Sequence, residues 1–224
     1  HKQMVGSGSA WSTSDGQQML WDAERTPVTM IAYAPFMSEA TPDASLTVNA
    51  LTNQSTEENV KSSDFLLMKA TVDPEQDLTA DGKLKISLNH AMSKLIIKIT
   101  VNGTTDASMS KLGDMAINGA VVNATCDLSA AAPVVVPAAD AVVATVAPYK
   151  GTESCECILP PQKIAEGFSV NFSYDGKLYI WTAKEAIELE KGVEHTLTLN
   201  VNTTVRLAAK MARNWATGQL IDRN

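Results

Sequence analysis

Aromatic side chains are scarce: Phe, Trp and Tyr make up 5% of 224 residues, so Val, Ile, Leu and Ala must fill any interior. Basic residues are outnumbered, 18 Lys and Arg against 25 Asp and Glu, for a net charge of -7. With no basic stripe and few rings to stack bases, the chain lacks what phosphate neutralisation and base stacking require, which argues against a nucleic-acid partner. No run approaches the ~18 apolar residues of a membrane span. No basic-then-apolar leader opens the chain, as expected of one from which a leader has been trimmed. Three cysteines, Cys126, Cys155 and Cys157, are too few for a disulfide scaffold, and whether Cys126 bridges to either of the others cannot be read from spacing. Only three histidines occur.

Marked chemistry is missing as well. His1, His90 and His195 lack the companions at ligand spacing that a metal would need. His90 and His195 sit among apolar residues on strand faces, the setting of a histidine satisfied by a backbone or hydroxyl partner. Cys155-Glu156-Cys157 lacks the Cys-x-x-Cys spacing of a redox pair; in a strand its two thiols share one face and pack. "GSGSA" (6–10) is not a nucleophile elbow, and no Gly-rich loop opens a helix to cradle phosphate. Carboxylates scatter through loops without a marked pair. Asn53, Asn102, Asn123, Asn171 and Asn202 begin Asn-x-Ser/Thr triplets, which matter only in a eukaryotic secretory setting. No catalytic, cofactor or metal residue is therefore assigned, and an enzyme is not expected.

What is present is β patterning. Hydrophobic residues are 45% of the chain, enough for a core. "TPVTMIAYAPF" (26–36) is a β-branched run bounded by prolines, and "DFLLMKATV" is a compact apolar one. Between them lies a turn-rich polar loop with one short strand. "FSVNFSYDGKLYIW" (168–181) alternates strictly around Asp175-Gly176, a tight hairpin. "VEHTLTLNV" (193–201) puts Val193, His195, Leu197, Leu199 and Val201 on one face. Pro133, Pro137 and Pro148 forbid a long helix in the Val-rich stretch 130–151. Only "TAKEAIELEKG" and "VRLAAKMARNWA" have helical propensity, the latter with Leu207, Met211 and Trp215 four apart. Residues 1–20 are polar and Gly/Ser-rich, a loose end or weak first strand.

Residues 84–100 pose a register problem. Leu84, Ile86, Leu88, His90 and Met92 fall on even positions, then Leu95, Ile97 and Ile99 on odd ones. Either a β-bulge near Ser93-Lys94 resets the phase, or the chain passes from one sheet to another at the bend. Both predict β structure throughout, an irregularity within two residues of Ser93-Lys94, and burial of Leu88, Ile97 and Ile99. Strand density predicts an all-β chain of two tandem β-sandwiches, 1–103 and 104–224, divided at the turn-rich "NGTTDASMSK".

Several stretches, in order, resemble the fimbrillin-like family, the type V pilins of Bacteroidales. They are "VTMIAYAPF", "DFLLMKAT", "LNHAMSKLIIKI", "ILPPQKIAEGFSVNF", "YDGKLYIW…LEKGVEHTLTLNV" and "RNWATG". The resemblance implies transthyretin-like sandwiches and a structural or adhesive subunit of a bacterial surface fimbrium. It implies export with a signal, a lipoprotein precursor anchored at the outer membrane, and cell-surface location. Its partners would be other fimbrial subunits joined by strand addition, with host or bacterial surface ligands. No Cys for lipidation lies near residue 1. Carried over, proteolytic processing would remove an N-terminal strand within about residues 1–25, with Arg25 the candidate cleavage site, and residues 205–224 would supply the donor strand. The competing expectation is a secreted, non-polymerising β-sandwich module that binds glycan or protein. Trp11, Trp21, Trp181 and Trp215 are its candidate stacking platforms, though Trp181 lies in "LYIW" and is expected in the core.

Overall fold

A computed structural model describes residues 2–7, 10–17, 20–38, 41, 44–103, 105–201 and 207–213. The strands run β1 (Met4–Ser7), β2 (Ala10–Thr13), β3 (Val28–Ala34) and β4 (Ser45–Asn49), followed by helix α1 (Glu57–Ser63). Next come β5 (Leu66–Val72), β6 (Asn89–His90), β7 (Ser93–Val101), β8 (Thr105–Asp106), β9 (Leu112–Val121), β10 (Asn123–Asp127) and β11 (Val135–Pro137). Then follow β12 (Val143–Val146), β13 (Tyr149–Lys150), β14 (Cys155–Leu159), β15 (Gln162–Ile164), β16 (Ser169–Tyr174) and β17 (Lys177–Thr182). The last strands are β18 (Ile187–Leu189), β19 (Glu194–Val201) and β20 (Leu207–Arg213). The fold is nearly all β, in several sheets.

The central sheet runs β13-β14-β7-β19-β20, with β8 also on β7. Alternation places His195, Leu197, Leu199 and Val201 of β19 in the core, beside Leu95, Ile97 and Ile99 of β7, its parallel neighbour. Each such buried aliphatic residue contributes roughly 1.5–3 kcal/mol. A second sheet runs β12-β9-β16-β17, a third β11-β10-β4 and a fourth β3-β5-β6, while among the described residues β1-β2 and β15-β18 each form a separate two-stranded sheet. One apolar core spans residues from Leu46 to Val201.

The phase change in residues 84–100 is a passage between sheets. β6 belongs to the fourth sheet and β7 to the central one, and Ala91-Met92, both fully buried, carry the chain across. The crossing is pinned from two sides: Ala91 N–H donates to Phe65 O at 2.8 Å and Gly192 N–H to Met92 O at 2.8 Å. Gly192 has φ 65, and a Cβ there would lie 3.1 Å from His90 O, so glycine is required. Two expectations need correcting. Residues 85–88 are in no strand, and Leu88 is half-buried rather than core; Ile97 and Ile99 are buried as expected.

Other differences are local. Residues 57–63 form a helix where a loop was expected, because Thr56 accepts Asn59 N–H as N-cap, Glu57 and Glu58 occupy the first turn and Lys61 the last. "TAKEAIELEKG" yields β18, and residues 207–213 of the second helical candidate form β20, each drawn into a strand by an existing partner. The N-terminus forms the β1–β2 hairpin. Asn102 and Gly103, with φ of 53 and 76, turn the chain from β7 into β8, and pairing runs across this point: β4 joins β10, while β7 joins β14 and β19.

Candidate functional site

A β protein offers other chains its sheet edges, where backbone N–H and C=O groups lack a strand. Some edges here are closed by side chains. At Ile158, β14 has β7 on one side only, and on the other the amide of Gln54 replaces a strand. Gln54 Oε1 accepts Ile158 N–H at 2.8 Å, and Gln54 Nε2 donates to Ile158 O at 2.8 Å and Leu51 O at 2.9 Å. Gln54 is fully buried. Gln162 does the same at Val121, accepting its N–H and donating to its C=O, both at 2.9 Å. Sequence reading missed both glutamines; the one signal was the "PPQ" that leads into β15, whose Gln162 is that strand's first residue, and it gave no partner.

Other edges stay open among the described residues. β17 ends its sheet, and the Tyr174–Lys177 pair closes its two-residue turn. Leu178, Ile180 and Thr182 then direct their N–H and C=O groups away from β16. Leu178 is 85% and Ile180 68% exposed, unusual for apolar residues on an edge. β5 is covered by β3 along its length but by β6 only at Leu66 and Leu67. β20, the chain's last described strand, pairs with β19 from Val201↔Leu207 to His195↔Arg213 and forms the other outer edge.

The N-terminal segment carries the expected processing residue. The β1–β2 hairpin has its own sheet, with Lys2 Nζ paired to Asp15. Arg25 lies in an exposed turn at φ 54, its N–H on Asp22 O at 3.1 Å and its guanidinium donating to Pro74 O at 3.0 Å. Thr26 N–H donates to the Asp22 carboxylate at 2.9 Å, which holds that carboxyl below its usual range.

The remaining singled-out residues lie apart. His90 Nδ1 donates to Asp64 Oδ2 at 2.6 Å, and His195 Nε2 accepts Glu190 N–H at 3.0 Å. Cys126, Cys155 and Cys157 are free and buried. Burial pushes the Cys155 thiol up to about 11 and raises those of Cys126 and Cys157, so none is a poised nucleophile. Lys94 bridges strands on the central sheet, 2.8 Å from Glu156 and 4.0 Å from Glu194. Trp181 is half-buried, edge-on to Phe168, and Trp11 is 52% exposed on the hairpin. Trp21 donates from Nε1 to Thr26 O at 2.9 Å. Trp215 and the side chains of Leu207 and Met211 lie outside the described residues.

Comparison with known proteins agrees with this architecture. The sequence profile described as fimbrillin-like matches residues 1–214. No curated protein sequence matches. A candidate cell adhesion protein of Bacteroides uniformis superposes with TM-score 0.70 at 16% identity, over 92% of this chain and 79% of that one. A second candidate cell adhesion protein, from Bacteroides ovatus, gives 0.65 at 16%, over 96% and 75%. A fimbrial protein of Bacteroides vulgatus gives 0.55 at 12%, over 96% and 84%.

Proposed function

Because the chain belongs to the fimbrillin-like family, we propose that it is a structural or adhesive subunit of a bacterial surface fimbrium, joined to its neighbours by strand addition. The observation that carries this reading is β20: among the described residues the last strand lies at an outer edge and pairs with β19 alone. An edge strand so placed can be exchanged for the same strand of another subunit without unravelling the sheet beneath. Each ladder hydrogen bond contributes about 0.5–1.5 kcal/mol net, and alternate side chains set the register. In this reading residues 1–25 are removed by cleavage at Arg25, residues 205–224 are the donor, and a lipid anchor on the exported precursor holds the subunit at the outer membrane. No step asks this chain itself to catalyse a reaction.

The alternative, a secreted module that binds glycan or protein without polymerising, is favoured by the exposed ring of Trp11. A chain ending at Val201 separates the two. Strand exchange predicts that this chain, folded by circular dichroism, binds a labelled peptide of residues 205–224 and melts higher with it, while the full chain binds little. A folded truncated chain that ignores the peptide would overturn the exchange mechanism.

A further inference from the structure

The fourth sheet stops short. β6 pairs Leu66↔His90 and Leu67↔Asn89, and from Met68 to Val72 the edge of β5 away from β3 carries no strand among the described residues. A hollow of about 350 Å³ lies there, lined by Met68, Ala70, Val72, Gln76, Leu84 and Lys85. Beside it run residues 84–88, in strand-like alternation but outside any strand; Leu84 bridges Leu78, and Ile86 is 39% exposed.

We propose that residues 84–88 are a strap that closes onto β5 as the continuation of β6, converting an open sheet edge into a closed one. The register already formed determines what closure pairs. Extending Leu66↔His90 and Leu67↔Asn89 antiparallel sets Met68 opposite Leu88, Ala70 opposite Ile86 and Val72 opposite Leu84. The intervening pairs are Lys69 with Ser87 and Thr71 with Lys85. Apolar residues thus face apolar ones and polar face polar along the whole strap, the arrangement in which cross-strand pairs stabilise a ladder. A slip of one residue would set Ile86 against Lys69 or Thr71 and turn the strap's apolar side over. Lys69 is fixed independently, donating from Nζ to Leu128 O at 2.7 Å and Ala130 O at 2.9 Å, so the face of β5 is not free to rotate.

The strap is tethered at both ends. His90 is held on Asp64, and Leu84 on Leu78. Closure trades the Leu84–Leu78 bridge for pairing with Val72 and brings Ile86 against Ala70. While the strap is off, the N–H and C=O groups of the β5 edge are available to another strand; while it is on, they are not.

Paired cysteines in the full chain test this. Ala70→Cys/Ile86→Cys should crosslink within one molecule under mild oxidation, read as the mass loss of disulfide formation and as a linked tryptic peptide. Ala70→Cys/Ser87→Cys, one residue out of phase, should stay reduced. The three native thiols are buried and do not compete. In the unsubstituted protein, the amides of Lys69, Thr71, Lys85 and Ser87, the ones that bond across the closed ladder in this register, should exchange at least about tenfold more slowly than those of the 79–82 turn. Absence of the in-phase crosslink, equal crosslinking of both pairs, or exchange at the rate of the turn would each overturn the proposal.

Discussion

At the scale of single residues, the chain substitutes side chains for backbone where its strands run out of partners. Gln54 is the most demanding case, since its amide faces both the N–H and the C=O of Ile158 inside the core. Gln54→Leu keeps the volume but orphans both groups, each costing roughly 1–3 kcal/mol, so chemical denaturation should show a loss of about 2–6 kcal/mol. Gln54→Glu supplies two acceptors where one must donate to Leu51 O and Ile158 O. Burial and those carbonyls would favour the protonated acid and raise its folded-state pKa. The folded form would then hold a proton that the unfolded form releases, and stability should fall as pH rises from about 4 to 7. A Gln54→Glu variant equally stable at both ends of that range would refute this account. A glutamine between a Thr/Asn-rich turn and a helix cap gives no sign in sequence that it will meet a strand a hundred residues away.

At the scale of elements, legibility followed the locality of the cause. The β16–β17 hairpin was readable because alternation and Asp175-Gly176 lie together; the structure gives those residues φ of 51 and 75, the double left-handed turn such hairpins need. A Cβ at Gly176 would meet nothing within 4 Å, so the glycine is required by backbone alone. Gly176→Val should therefore cost about 1–2 kcal/mol in urea unfolding, with the β16–β17 pairing otherwise kept. An unchanged midpoint would mean that the turn type is wrong. β19 was equally plain, its alternation written over eight residues and buried on one face. β20 was not: the spacing of Leu207 and Met211 suits a helix, and only a ready edge on β19 makes residues 207–213 a strand. Helix α1 was missed for the opposite reason, since caps and end charges rather than an amphipathic stripe specify it. Residues 84–88 carry a strand's alternation without strand structure, and no local rule states where a ladder stops.

At the scale of the whole molecule, the core and the termini separate cleanly. Every fully buried core residue among those described lies between Leu46 and Val201, so residues 1–25 can be removed without opening the core. Among the described residues the hairpin they contain makes no ladder with any other sheet, and the turn at Arg25 is exposed, held by the guanidinium on Pro74 O. Limited trypsin treatment should therefore cut at or before Arg25 and leave a folded body. Products must be sorted by mass, because Lys83 and Lys85 beside the open edge of β5 are exposed as well. If subunits join by strand addition, the clipped body should form slowly dissociating oligomers, since separation must break a whole ladder of hydrogen bonds at once. Uncut protein run beside it, by light scattering and by electrophoresis without boiling, shows whether removal of residues 1–25 is what permits the exchange. The same digestion of a chain ending at Val201 provides the control: without β20 it has an acceptor but no donor, and clipping should yield monomers that the 205–224 peptide binds. A clipped full chain that stays monomeric at high concentration would exclude self-polymerisation, and the exposed Trp11 would then make a binding module the better account.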